Sequence, residues 1–256
     1  MHPPLRFLFN TSCLIISLIS SGSLTAAQNS EQRILFIGNS YTAGVSAALQ
    51  QTLSGPDHPA TELQFITKGG ATLEKHLNYP ATTQAIKDGQ WTYVVLQEQS
   101  QTPALGGHYT QSFHQSVDQL SRIIKDAGAT PVLYATWGRR DGDSKNKAIF
   151  PDFETMNTKL TTAYQQAAAR NGALIAPVGQ AWAAVKKQDQ ALWHTLYRKD
   201  GSHPSANGAY LTACVFSQRL FPQAATEKIT APGTLKANEQ ATIRQAARAT
   251  ALNLNQ

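Results

Sequence analysis

Two cysteines are all that this 256-residue chain contains, Cys13 and Cys214. Cys13 falls in the leader described below, so the rest of the chain holds one thiol and cannot close an internal disulfide. Cys214 sits in an apolar helical run, 209–216, and reads as a buried, inert thiol. Clustered charge is also missing. The formal net charge is +6, yet Lys186-Lys187 and Arg139-Arg140 are pairs and no longer basic block occurs. That argues against nucleic-acid binding. Metal-ligand spacing is absent too. His76, His108 and His114 are scattered, and Asp141, Asp143 and Asp152 lack the glycine and terminal glutamate of a Ca²⁺ loop. No metal or other cofactor is expected. Beyond the first thirty residues no stretch is apolar enough to span a bilayer.

The start of the chain is different. Arg6 is the only charged side chain before Glu31, apolar segments 7–9 and 14–19 follow it, and Thr25-Ala26-Ala27 closes the region. A basic beginning, a short apolar stretch and small residues describe a secretory signal peptide over 1–27. Asn10, Thr11 and Ser12 interrupt the apolar part, so it is too short and polar to stay as a membrane anchor. The expectation is a secreted or periplasmic protein, 28–256 forming one domain.

Strand and helix patterns then alternate. Strands are expected at 33–37, 62–67, 93–96, 131–136 and 173–176. Tyr93-Val94-Val95-Leu96 is apolar throughout, as a parallel strand covered on both faces must be. Helices are expected at 43–53, 81–87, 109–127, 152–170, 179–187 and 206–220, with a further helical pattern at 235–251. This order implies an α/β protein with a doubly wound, five-stranded parallel sheet. Right-handed crossovers bring the strand-end loops to one edge. Those loops carry Ser40, Gly69-Gly70, the polar run Gln97 to Gln101, Trp137 to Asp143, and Asp200 to His203.

A serine hydroxyl becomes a nucleophile when a base takes its proton, and that base is usually a histidine oriented by a carboxylate. Ser40 follows the first strand in Gly38-Asn39-Ser40. Among the histidines, His203 has a carboxylate three residues earlier in a turn-forming context, Asp200-Gly201-Ser202-His203-Pro204. The same spacing also suits a surface turn capping the next helix. Gly38-Asn39-Ser40-Tyr41-Thr42 lacks the Gly-x-Ser-x-Gly elbow of an α/β-hydrolase.

Gly38-Asn39-Ser40 after a strand, joined to Asp200-x-x-His203 near the other end, resembles the SGNH/GDSL hydrolase superfamily. The resemblance spans most of the chain and implies a flavodoxin-like three-layer α/β/α fold. It also implies Ser40 as nucleophile, His203 as base and Asp200 as its orienting acid. The oxyanion would be held by the backbone N–H of Ser40 and a glycine N–H in the second block, for which Gly70 is the best match and Gly69 the alternative. The third block departs from the family's Gly-x-Asn-Asp, because the strand runs into Gln97-Glu98-Gln99-Ser100. This suggests a divergent branch with a Leu-Gln-x-x-Ser block. A glutamine amide can donate the same bond from a longer arm. Gln97, directly ending the strand, is the first choice, with Gln99 and Gln101 open. Glu98 is read as a neighbour without a catalytic task.

Trp137, Arg139 and Arg140 lie on the expected site edge. Trp137 and Arg140 are candidates for holding a sugar ring or an anionic group; a loop anchored by a buried tryptophan is the alternative. The expected activity is serine-dependent hydrolysis of small, acetyl-like esters, with an acylated glycan or other small acyl ester as substrate. A lipase or lysophospholipase, or a non-catalytic glycan-binding module on the same fold, are the competing readings.

Overall fold

The computed structural model describes residues 1–2, 31–224 and 226–252. The expected signal peptide, apart from Met1 and His2, lies outside them. Among the described residues no helix is long and apolar enough to cross a membrane.

Five strands form one parallel sheet: β1 (Gln32–Gly38), β2 (Thr61–Thr67), β3 (Tyr93–Leu96), β4 (Thr130–Tyr134) and β5 (Leu174–Ala176). Their spatial order is β2-β1-β3-β4-β5. The chain steps from β1 to β2, then returns past β1 to place β3 on its other side. Two neighbouring strands therefore send their following loops to opposite faces, and a crevice opens between the carboxyl ends of β1 and β3.

Both faces of the sheet are covered. Along β1 and β3, Ile34, Phe36 and Val95 join one apolar cluster, and Leu35, Ile37, Val94 and Leu96 join the other. Strict alternation between two dry faces explains why these strands read as continuous apolar runs. On the first face pack α1 (Ser40–Leu53), α6 (Val178–Gln188), α7 (Gln190–Thr195), α8 (Ala206–Leu220) and α9 (Ala237–Leu252). On the second lie α2 (Leu73–Leu77), α3 (Pro80–Asp88), α4 (Gly107–Asp126) and α5 (Phe153–Asn171). The tail pattern is thus a helix, which buries Ile243, Ala246 and Ala247 and brings Arg244 Nε to within 2.8 Å of Tyr210 Oη. Cys214 is fully buried, and burial pushes its thiol up to about 12.

Helices α2 and α7 lie outside the helical ranges given above, and α1 differs in where it begins. Helix α1 begins at Ser40 rather than three residues later, because Asn39 caps it by accepting the Tyr41 N–H at 3.1 Å. Helix α7 is an extra turn and a half, begun by Asp189, whose carboxylate accepts the Leu192 N–H at 2.9 Å.

Helix α8 approaches its neighbours through Gly208. A Cβ there would lie 2.3 Å from the Leu196 carbonyl oxygen and 2.8 Å from Trp182 Cζ2. Alanine would gain about 1 kcal/mol of helix propensity, but the overlap with a fixed backbone oxygen costs more. Gly208→Ala is therefore expected to lower the unfolding free energy by about 1–2 kcal/mol net, measured by urea denaturation.

Candidate active site

The nucleophile turn is built from below. Gly38 lies where a Cβ would meet Thr42 Oγ1 at 2.3 Å and Gln97 Oε1 at 2.5 Å, so only glycine fits between strand and helix. Its carbonyl accepts the Lys68 N–H at 3.1 Å and lies 2.8 Å from His76 Nε2. Asn39 is buried and faces three ways. Its N–H donates to Gln97 Oε1 at 2.9 Å, its Oδ1 caps α1, and its Nδ2 donates to the Ala71 carbonyl at 3.0 Å. Ser40 is thereby the first residue of α1, and its own N–H has no acceptor within the described protein.

Ser40 Oγ lies 2.9 Å from His203 Nε2, and His203 Nδ1 lies 2.6 Å from Asp200 Oδ2. A carboxylate only accepts, so Nδ1 carries the proton and Nε2 is left to accept from Ser40. The other oxygen of Asp200 accepts the N–H groups of Ser202 at 2.9 Å and His203 at 3.0 Å. Partial burial would raise the Asp200 carboxyl, but these N–H groups and the His203 ring outweigh it and hold it below the usual carboxylate range. Sequence spacing brings Asp200 and His203 together; the fold adds Ser40, 163 positions away from His203.

What sets that long-range distance is aromatic. Tyr41 stacks on Trp137 at 4.9 Å and 8°, and Trp137 stacks on Trp182 at 4.1 Å and 3°. Trp137 Nε1 donates to the Ser202 carbonyl at 3.0 Å, and Tyr41 Oη lies 2.6 Å from Ser202 Oγ. The residue after the nucleophile and the residue before the base are therefore joined to one buried column.

Three expectations need correction. Gln97 is fully buried, and its amide is spent inside the fold. Its oxygen accepts from Asn39 N and from Thr42 Oγ1, at 2.9 Å each, and its nitrogen donates to the Glu98 carbonyl. It therefore supports the turn and presents no donor to a substrate. Trp137 is fully buried with both ring faces covered, so it offers no surface to a sugar. Arg140 gives its N–H to the Gly201 carbonyl at 2.8 Å and its guanidinium to Asp141, so it braces the 200–203 loop. Arg139 is held between Asp143 Oδ1 at 3.1 Å and Ser100 Oγ at 3.2 Å.

The glycine loop carries N–H groups without an acceptor among the described residues. The Ala71 N–H closes a turn onto the Lys68 carbonyl at 3.0 Å, with Gly70 at φ +63°. Gly69 and Gly70 are exposed, and neither N–H has an acceptor among the described residues. Of the other glutamines, Gln101 is tied through Nε2 to Asp143, whereas Gln99 is half-exposed. Gln99 Oε1 accepts Gln101 N at 2.8 Å, Thr102 N at 3.3 Å and Thr102 Oγ1 at 3.2 Å. Its Nε2 donates to Gln101 Oε1 at 3.4 Å, which uses one of the two N–H groups of the amide and leaves the other.

A protein from Slackia heliotrinireducens classed as an SGNH hydrolase is 34% identical to this chain, with a TM-score of 0.62. The match covers 74% of this chain and 99% of that one. The chain belongs to the SGNH hydrolase superfamily. Membership makes it a serine hydrolase acting on ester bonds. This SGNH hydrolase shares its fold with a DUF4886 family protein from Bacteroides uniformis at 18% identity, covering 88% and 96% of the two chains, TM-score 0.70. It shares it also with an acetylxylan esterase from Geobacillus stearothermophilus at 15% identity, covering 73% and 93%, TM-score 0.54. No family model and no curated protein matches the sequence.

If Trp137 anchors the SGNH site rather than binding substrate, Trp137→Ala must act through stability. It is expected to cost about 3–5 kcal/mol in chemical unfolding. A variant as stable as the parent, with only KM raised, would restore Trp137 as a substrate contact.

Proposed function

We propose that this SGNH hydrolase removes small acyl groups from carbohydrate, with Ser40, His203 and Asp200 as its catalytic triad. The observation that carries this reading is the unbroken chain Ser40 Oγ, His203 Nε2, His203 Nδ1, Asp200 Oδ2, at 2.9 Å and 2.6 Å. His203 takes the Ser40 proton as the hydroxyl attacks the ester carbonyl. The N–H groups of Ser40 and Gly70 and the Gln99 side-chain amide receive the oxyanion. His203 then returns the proton to the leaving alcohol, and water repeats the sequence on the acyl-enzyme.

The rim supports a glycan. Tyr79 and Tyr109 are the large hydrophobic side chains most exposed after Met1, at 48% and 45%. Tyr79 adjoins the glycine loop, with Lys68 Nζ 5.5 Å from its ring centre. Tyr109 lies in the first turn of α4, which follows β3 and so starts at the site edge. Exposed aromatic faces with polar neighbours suit sugar rings, and the acetylxylan esterase that shares the fold acts on such a polymer.

A groove that could take a long acyl chain lies near the nucleophile helix. This apolar groove of about 500 Å³ lies between α1 and α8, lined by Gly44, Ala48, Ala209, Tyr210 and Pro232 among others. Gly44 is one helical turn from Ser40. Pro204 packs over Gly44, however, where an added Cβ would sit 3.1 Å from its Cγ, and walls that end off from the nucleophile. That contact favours a small acyl group over a long one at Ser40.

The test is an ester panel on purified protein. Ser40→Ala is expected to abolish hydrolysis of p-nitrophenyl acetate while the fold persists by circular dichroism; residual wild-type turnover would remove Ser40 as nucleophile. Acetyl esters, acetylated xylo-oligosaccharides among them, should be cleaved in preference to octanoyl ones, and the reverse order would point to the lipase reading. Gln99→Ala is expected to lower kcat by about 10²–10³ with little change in stability, whereas an unaltered kcat would exclude it as the third donor.

A further inference from the structure

Glu98 is a buried acid that the acyl-transfer steps leave unused. It is 1% exposed, and its two carboxylate oxygens face different loops. Oε2 accepts the Leu73 N–H at 3.1 Å, and Oε1 accepts the Gln99 N–H at 2.6 Å. Leu73 opens α2, three residues beyond Gly70; Gln99 stands on the loop after β3. One carboxylate therefore ties together the loops that carry two of the three oxyanion donors. The rest of Glu98 is fixed as well. Its N–H donates to Tyr164 Oη at 3.3 Å, and its carbonyl accepts from the Gln97 amide.

An ionised carboxylate does this best. It accepts on both oxygens, whereas a protonated acid or an amide turns one side into a donor, which then faces an N–H. Burying such a group is costly in a core that could hold an apolar side chain. We propose that Glu98 is a positioning residue of the oxyanion site, its carboxylate clamping the Gly70 loop to the Gln99 loop and so setting the spacing of their donors. The inference rests on the ester-hydrolase reading above.

The clamp is pH-dependent. Burial pushes the Glu98 carboxyl up to about 7; the Gln99 and Leu73 N–H groups oppose the rise, and Glu74 on α2 adds to it. From α5 the Tyr164 hydroxyl faces the same residue. A carboxyl whose folded value lies above its unfolded one stabilises the fold in its neutral form. That contribution is full below the unfolded value and is withdrawn as pH rises through about 7. The clamp closes over the same interval, so ionisation trades stability for geometry.

The test joins spectroscopy to kinetics. In the wild-type protein, the ¹⁵N amide shifts of Leu73 and Gln99 are followed from about pH 5 to about pH 9. They are expected to titrate together with a midpoint near 7 and to be flat over that interval in Glu98→Gln. In Glu98→Gln at about pH 8, kcat for p-nitrophenyl acetate is expected to fall about 10- to 100-fold with KM within about twofold. Should that variant not fold, Glu98→Asp, which keeps the charge but cannot reach both loops, should show the same loss in kcat. Joint titration with the fall in kcat supports the clamp. Independent or absent titration, or an unchanged kcat, overturns it. Failure of a fluorophosphonate to label wild-type Ser40 strikes instead at the esterase reading, while the two amides still report whether the clamp exists.

Discussion

The carboxamide oxygen of Gln97 holds the rest of the site in place. It is fully buried, and it accepts from the Asn39 N–H and the Thr42 hydroxyl at 2.9 Å each. Both donors lie on the turn that becomes α1, while Gln97 itself ends β3. The bond therefore crosses from one strand end to the next at the point where the sheet's winding reverses. A buried N–H deprived of its acceptor costs about 1–3 kcal/mol, so the turn has one favourable position against β3. From that position Asn39 reaches the Ala71 carbonyl, and the glycine loop is drawn to the same spot. The Ser40 turn, the start of α1 and the glycine loop take their places from one amide.

The second half of the site arrives by different physics. Asp200 and His203 belong to a loop with partly exposed side chains, and the hydrogen bond between them, made within the loop, does not fix its position against Ser40. Its register comes from the column Tyr41, Trp137, Trp182, whose stacked pairs each contribute about 0.5–1.5 kcal/mol beyond their burial. Two of the column's polar atoms, Trp137 Nε1 and Tyr41 Oη, end on Ser202. The hydroxyl to imidazole distance is thus fixed by groups that take no part in proton transfer. The imidazole itself stays a third exposed, as it must to meet a substrate.

Much of the fold was legible because both faces of the sheet are dry. Continuous apolar runs such as Tyr93 to Leu96 and Pro131 to Tyr134 admit few other readings, and helix α8 matches its expected bounds residue for residue. The Asp200 to His203 spacing was legible for a local reason: two side chains three residues apart in a turn meet without help from the fold. What escaped the sequence were roles decided by orientation. Gln97, Gln99 and Gln101 are chemically identical, and which one faces the site depends on where each carbonyl oxygen finds its donors. For Trp137 both readings, ring binder and buried anchor, stayed open for a related reason, and the structure decides for the anchor. A polar or aromatic residue at a strand end can point outward or under the loop, and sequence periodicity has ended by then.

The exchange of asparagine for glutamine in the third block raises a question of precision. A longer arm has an extra rotatable bond, and an amide free to swing would be a poor oxyanion donor, because preorganisation is what makes such donors effective. The surroundings of Gln99 answer it. Its Oε1 accepts from Gln101 N, Thr102 N and Thr102 Oγ1, and its Nε2 donates to Gln101 Oε1 at 3.4 Å, so the carboxamide is held at both ends with one N–H left over. The residue's own N–H is held by Glu98. The loop 99–102 is a socket that removes the freedom the longer side chain introduces. A simple Gln99→Asn change would withdraw the oxygen from that socket, leaving a shorter amide with fewer restraints. On the proposed reading of Gln99 as a donor, the contacts of the 99–102 loop and the longer side chain belong together.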